Sequence, residues 1–234
     1  MKDRVLITGS HGAIGNIIRL TLERLGYNLV LIDKNNPENP IDILSDDVVS
    51  YFRYAKSVIH LAANPDPFIG KEEADKNIEI TKKVIDTCNK VYTIKRIVNA
   101  SSINIYPYVS IFKEGKRLTN TTPLSPNTIF YNCETEGHYG RAKIIAESLL
   151  EKFCREHSDS GIHLTNLRLG CVTKNDLPYK QEDDVIDPVD FDIHLKHNDL
   201  RKIIEKSLRY EGFKNYVCVS KKKGLVDDSI RFPI

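Results

Sequence analysis

The sequence predicts an α/β fold: a doubly wound parallel sheet with helices on both faces and a small C-terminal substrate lobe. Three observations predict it. Short apolar runs alternate with stretches of helical period through the first hundred residues. A turn with three glycines joins the first run to the first helical stretch. Two long polar segments then leave from the ends of later runs, where open sheets of this kind place their ligand crevice.

The elements follow in order. Val5–Thr8 is the first strand, and Ala13–Leu25 carries Ile14, Ile17, Ile18, Leu22 and Leu25 at helical spacing, with Gly26 as its stop. Leu29–Ile32 is a second strand closed by Asp33, Ser57–Ala63 a third and Arg96–Ser102 a fourth. Between the last two, Glu72–Lys90 reads as a helix through Ile78, Thr81, Val84, Ile85 and Cys88. Tyr139–Glu156 is a long helix with Ile144, Ile145, Leu149 and Phe153 on one face. A strand at Ile162–Leu169, a helix at about Asp199–Arg209 and a strand at Tyr216–Val219 complete the set. Strands alternating with helices require crossovers that pack back on the sheet, which gives the doubly wound order. The segment Pro107–Glu136, with three prolines and little periodicity, and the acid-rich Val172–Asp192 break the pattern. Residues 1–234 therefore read as a single nucleotide-binding domain, with substrate-site segments at about 107–136 and 172–234.

Composition narrows the classes. Lys and Arg total 34 against 32 acidic residues, a net of +2, so neither nucleic acid nor an anionic membrane is the expected partner. The basic run Lys221-Lys222-Lys223 reads as a solvated turn. No stretch approaches the ~20 apolar residues of a membrane span, and the N-terminus enters a strand without a signal-peptide pattern. Five scattered cysteines read as reduced thiols, so the cytoplasm is the expected location.

The loop Gly9-Ser-His-Gly12-Ala-Ile-Gly15 lies between a strand and a helix. Its glycines suit a tight turn, a close backbone approach to a pyrophosphate and close helix–strand packing, while the helix dipole favours phosphate. Gly9, His11, Gly12, Ala13, Ile14 and Gly15 are the candidate phosphate contacts. Asp33 at the end of the second strand can accept from both adenosine ribose hydroxyls and would repel a 2′-phosphate, which favours NAD over NADP; the adjacent Lys34 weakens that discrimination. Asp42, in the run Ile41-Asp42-Ile43, either meets the adenine with Ile43 or is a turn residue.

Tyr139-Gly-Arg-Ala-Lys143 puts a phenol and an ammonium on one helix face. The lysine can lower the phenol's pKa and donate to ribose hydroxyls, leaving a base suited to an alcohol proton. Ser101 and Ser102 end the fourth strand, where a hydroxyl can donate to a developing alkoxide or carbonyl oxygen.

On these residues the chain resembles the extended short-chain dehydrogenase/reductase family, built on the Rossmann fold. The matching motifs are T-G-x-x-G-x-x-G at Thr8–Gly15, H-L-A-A at His60–Ala63, a helix asparagine at Asn77, S-S-x-x-x-Y at Ser101–Tyr106, and Y-x-x-x-K at Tyr139–Lys143. The resemblance implies Ser102, Tyr139 and Lys143 as the catalytic set. It also places Leu61, Ala62, Ala63, Asn77 and Ser101 on the cofactor, and Asn64, Asn104 and Cys171 with Ser102 on the substrate. Within the family the chain looks most like uronate dehydrogenases and short-chain-type NAD-dependent glucose-6-phosphate dehydrogenases. Relatives often pair through the helices here at 72–90 and 139–156, which implies a homodimer. Departures stand at the substrate end: Ser-Ser-Asn-His of those relatives is Ser101-Ser102-Ile103-Asn104 here, and no arginine between Thr173 and Leu195 answers the one that holds a uronate carboxylate.

The expected activity is NAD-dependent oxidation of a sugar, sugar phosphate or sugar acid hydroxyl. The alternatives are a sugar-nucleotide epimerase or dehydratase, and a non-catalytic NAD sensor. Lys113, Lys116 and Arg117 either grip a substrate phosphate or line an exposed loop. His194 and His197 with Asp192 lack a supporting cluster, and no metal is expected.

Overall fold

The computed structural model describes residues 2–130, 133–177, 193–220 and 224–233. The stretch 178–192, with Asp192, and the lysine run 221–223 lie outside the described residues. Six strands form one sheet: β1 (Arg4–Thr8), β2 (Asn28–Ile32), β3 (Ser57–His60), β4 (Arg96–Ser102), β7 (His163–Leu169) and β8 (Phe213–Cys218). Their spatial order is β2-β1-β3-β4-β7-β8, and every pairing is parallel. The chain winds outward from β1 in both directions, so the switch point falls between the carboxyl ends of β1 and β3.

Alternation along the strands sends side chains to two cores. On one face Leu6, Val58, Ile97 and Leu164 meet α3 (Lys71–Val91) and α5 (His138–Glu156) through Val84, Cys88, Leu150 and Phe153. On the other, Val5, Ile7, Ile59, Val98 and Leu167 meet α1 (Ala13–Arg24) and α6 (His197–Ser207) through Ile18, Leu22, Leu200 and Ile203. This is the Rossmann architecture, and the strand and helix positions agree with the sequence reading to within a few residues.

A polar row interrupts the first core. Thr8, His60, Asn99, Asn166 and Asn215 occupy matched positions on β1, β3, β4, β7 and β8. Asn99 donates to Asn166 at 2.9 Å, and Asn166 to Asn215 at 2.9 Å. Thr8 Oγ1 and His60 Nδ1 are 2.9 Å apart. Asn215 is exposed at the sheet's edge, and for the four buried members hydrogen bonding offsets the desolvation that burial entails.

Two expectations need correction, and one element was not expected. The face of α5 that meets the sheet is Tyr139, Ala142, Ala146, Leu150 and Phe153, whereas Ile145 is 37% exposed. Ala142 and Ala146 let the helix lie close to the sheet, and the larger isoleucines turn aside. A short helix, α2 (Val49–Phe52), seals the core with Phe52 where no periodicity announced it.

The second correction concerns the segment from Pro107. It contains α4 (Tyr108–Lys113) and a small antiparallel pair, β5 (Ile129–Phe130) with β6 (Cys133–Glu134). Tyr108, Val109, Phe112 and Leu118 form a third apolar cluster with Ile103, Ile105, Val217 and Ile230, above the carboxyl ends of β4 and β8. Leu118 also donates its amide to Leu225 O, joining the segment to the chain's last residues. Six residues give too short a pattern for helical period to show in the sequence. Phe112→Ala is expected to cost about 3 kcal/mol or more, which lowers Tm on the order of 10 °C. A melting curve like that of the parent chain would mean that this segment contributes no core.

Candidate active site

At the switch point the first glycine is forced by its neighbours. Gly9 has φ +71°, and a Cβ there would lie 2.8 Å from the Ala62 amide nitrogen. A Cβ on Gly15 would lie 2.1 Å from Gly9 O, so the start of α1 packs directly on the loop. Gly12 is different: its added Cβ would meet nothing closer than Gly9 O at 3.5 Å. Internal packing leaves that position open, and a glycine there keeps room for a ligand's phosphates. Helix α1 has no side-chain cap and no acid in its first turn, so its positive end is left for an anion. Asn16 Nδ2 donates to His11 O at 2.9 Å and braces the loop.

Asp33 is buried beside this loop. Its Oδ2 accepts from the His11 amide at 2.7 Å and its Oδ1 from the Asn35 amide at 2.8 Å. A carboxylate offers about four lone-pair sites, so each oxygen keeps capacity for a ribose hydroxyl. Lys34 is exposed next to it. Asp42 is also exposed and accepts from the Leu44 amide at 2.9 Å, while the Ile43 side chain is in the core, so only the backbone of Ile43 is free to face a ligand.

Thr8 ties the loop to the third strand. Its Oγ1 accepts from the Leu61 and Ala62 amides at 3.2 and 3.3 Å, and so donates to His60 Nδ1. His60 Nε2 then donates to Thr81 Oγ1 at 3.2 Å, which passes its own proton to Asn77 O. The network assigns a neutral tautomer, consistent with burial and the nearby Lys143 pushing the imidazole down to about 3. Asn77 uses both ends of its amide on one residue: Oδ1 accepts from Asn64 N at 2.7 Å and Nδ2 donates to Asn64 O at 3.0 Å. Asn77 thus shapes the Leu61–Asn64 turn beside the loop. The Asn64 side chain is engaged with Glu73 and the Asp66 amide.

Ser102, Tyr139 and Lys143 come together where β4 ends under α5. Ser102 stands beside Tyr139, whose ionised phenol its hydroxyl favours, and Lys143 Nζ lies 5.7 Å from that ring's centroid. Lys143 donates to Ala100 O at 2.8 Å. Ser102 Oγ accepts from the Asn104 amide at 3.2 Å and caps a single turn, Ile103–Ile105. Burial pushes the Tyr139 phenol up to about 12, with the Ser102 hydrogen bond pulling the other way. The expectation that Lys143 lowers the phenol is therefore corrected: burial outweighs every other influence on it. The same burial lowers Lys143 to about 8, against the pull of Glu147. Ser101 Oγ and Asn104 Oδ1 are buried without a hydrogen-bond partner, in the two positions expected to meet cofactor and substrate. Cys171 stands two residues beyond β7 and bridges to His194.

Several contributors were not singled out in the sequence. Asn127 takes its place through its amide on Asn104 O at 2.8 Å and its side chain on Ile129 O at 2.7 Å. Pro126 rests on Gly140, where a Cβ would lie 2.5 Å from Asn104 O. The segment after α4 therefore docks on the first turn of α5, beside Tyr139. Arg168 on β7 meets Glu147 on α5, and an arginine between Leu167 and Leu169 in a strand was the available signal. Elsewhere, His197 Nε2 contacts Thr173 O at 2.6 Å and holds the turn after β7, and Lys116 pairs with Glu114 at 2.6 Å on the surface. Among the described residues no helix is long and apolar enough to cross a membrane.

Residues 5–173 match the NAD dependent epimerase/dehydratase family. The chain belongs to that family. NAD is the family's cofactor, in agreement with the Asp33 carboxylate and the open Gly12 position. Comparison with curated proteins finds no match. Among solved structures, the fold is similar to a glucuronic acid dehydrogenase from Chromohalobacter salexigens, with TM-score 0.75 and 19% identity over 98% of this chain and 82% of that one. It is also similar to a mutated uronate dehydrogenase (TM-score 0.74, 19% identity, 98% and 78% covered). A UDP-N-acetylglucosamine 4-epimerase from Bacillus cereus follows at TM-score 0.71 and 18% identity, with 94% and 79% covered. The family's enzymes thus include dehydrogenases and epimerases on this same sheet.

Burial of Lys143 has a consequence for stability. Its folded pKa of about 8 lies below the ordinary 10.5, so between those values the unfolded chain binds more protons than the folded one. Stability contributed by this group rises with pH across that window. Lys143→Met, which keeps the stem and removes the charge, is expected to raise Tm at pH 7 by several degrees, roughly. Calorimetry at pH 7 and 10 checks it, and the gain should shrink at the higher pH.

Proposed function

We propose that the chain is an NAD-dependent sugar dehydrogenase, oxidising a hydroxyl of a sugar, sugar phosphate or sugar acid. The observation that carries the reading is the meeting of Ser102, Tyr139 and Lys143 beside a loop suited to a dinucleotide. In this reading Tyr139 takes the alcohol proton as the base, and Ser102 donates to the substrate oxygen as it becomes a carbonyl. Lys143 holds the ribose hydroxyls, and Asp33 holds those of the adenosine. NAD, when bound, supplies the hydride acceptor. The balance is alcohol plus NAD⁺ giving carbonyl, NADH and one proton, which leaves from Tyr139 to solvent.

The first-turn residues His11, Gly12, Ala13 and Ile14 would face the pyrophosphate, with Leu61–Ala63 and Ser101 along the nicotinamide half. Asn104, Cys171 and the wall built by Pro126 and Asn127 would face the substrate. Structures of uronate and glucuronic acid dehydrogenases among the similar folds support a small sugar. Dimerisation through α3 and α5 is part of the same reading. Ile145 is exposed one turn before Leu149, which lines a groove of about 250 Å³ with Ile85 and Phe153. Ile145→Glu should yield a monomer by sedimentation; an unchanged mass dismisses that interface.

The decisive experiment mixes protein and NAD with a panel of sugars, sugar phosphates and uronates and follows NADH. Tyr139→Phe should lower kcat by at least ~100-fold, the usual scale for loss of a general base, with NAD affinity near normal. Turnover of a sugar without free NADH would instead favour an epimerase, in which the hydride returns within one cycle. NAD binding with no turnover across the panel would favour a sensor.

A further inference from the structure

We infer that Arg168 and Glu147, with the Tyr106 phenol as third member, are positioning residues that keep Lys143 turned toward β4 and Ser102. The inference rests on the dehydrogenase reading for what Lys143 does, and on geometry for how it is held. Glu147 lies one helical turn after Lys143 on α5 and is 5% exposed, while Arg168 on β7 is 8% exposed. Arg168 donates from Nε and Nη2 to the two Glu147 oxygens at 3.1 and 2.8 Å. Its Nη1 donates to the Tyr106 phenol, over whose ring the guanidinium lies at 5.2 Å. Tyr106 follows Ser102 by four residues, and Arg168 is in register with Ser101. The three side chains therefore join the helix that carries Lys143 to the strand end that carries Ser102.

A buried ion pair adds little net stability over apolar residues of equal volume, so stability alone does not account for the cluster. Side chains at i and i+4 on a helix attract when oppositely charged. Left to itself, the Glu147 carboxylate would draw Lys143 along α5 into such a pair. Arg168 occupies both carboxylate oxygens, and Lys143 reaches across to Ala100 O instead. The titratable groups facing Lys143 are His60 from β3 and Tyr139 and Glu147 from its own helix. Burial holds His60 and Tyr139 in their neutral forms at pH 7, so Glu147 is the anion that acts on the ammonium.

The test is a titration of the lysine side chains by ¹³C NMR in the full-length protein, together with kcat on a substrate found in the panel. The parent midpoint for Lys143 is expected near 8. Arg168→Met frees the carboxylate, and the midpoint should rise by about one unit while kcat falls at least tenfold. Glu147→Gln/Arg168→Met removes both charges, so Tm should recover and the midpoint should fall below the parent value. A pair that serves stability only would move Tm and leave the midpoint in place, and a folded Arg168→Met with an unmoved midpoint overturns the inference. Should Arg168→Met fail to fold, an unmoved midpoint in the double variant does the same. If no panel substrate is oxidised, the dehydrogenase reading fails, while the NMR midpoints still decide the role of the pair.

Discussion

The structure depends on the approach of two backbones at the switch point. Gly9 passes so close to Leu61 and Ala62 that no side chain fits between them, and Thr8 fastens the same place with one hydroxyl shared among two amides and an imidazole. The start of α1 then packs on Gly9 through Gly15. Strand, loop, helix and neighbouring strand are thereby held at a spacing that leaves an opening above Gly12. The carboxylate of Asp33 closes the ring by accepting from His11, so the glycine loop and the end of β2 are tied together by that hydrogen bond.

Burial is the second governing constraint, and it acts on all three titratable groups of the site in the same sense. It disfavours the phenolate of Tyr139, the ammonium of Lys143 and the imidazolium of His60. A neutral His60 is what the threonine network requires. In the proposed dehydrogenase reaction Tyr139 and Lys143 act in their charged forms, so there the site would work against its own dryness and need nearby compensating charge. Glu147 supplies part of that for the lysine.

The geometry of the proposed cofactor half was legible in the sequence because its demands fall on short, contiguous patterns. Three glycines, an acid at a strand end and Tyr-x-x-x-Lys each state a local geometrical need. The substrate wall was less legible because its contacts are made at long range. Pro126 matters through Gly140, Asn127 through Asn104, and Tyr108 through residues more than a hundred positions away at Val217 and Ile230. The apolar stripe on α5 misled for a related reason: alanines mark much of the face that approaches the sheet, and a pattern read from large side chains selects a face turned partly aside, sharing only Phe153 with it. Arg168 and Glu147 are polar residues among apolar ones, and each makes sense only once the other is placed.

The polar row across the sheet has a bearing on how accurately the site can be built. Its members on β1, β3, β4 and β7 stand only a few residues before the positions that would touch ligands: Thr8 before Gly9, His60 before Leu61, Asn99 before Ser101 and Ser102, Asn166 before Cys171. Sliding β3 or β4 by a residue would carry His60 or Asn99 to the opposite face and bring an apolar side chain, Ile59 or Leu61, Val98 or Ala100, into the row. Such a slip breaks hydrogen bonds that have no water to replace them. The row therefore acts as a common datum line. The strands that carry its members are indexed against it, and the candidate site groups at their ends inherit their relative heights from that indexing rather than from the loops that follow.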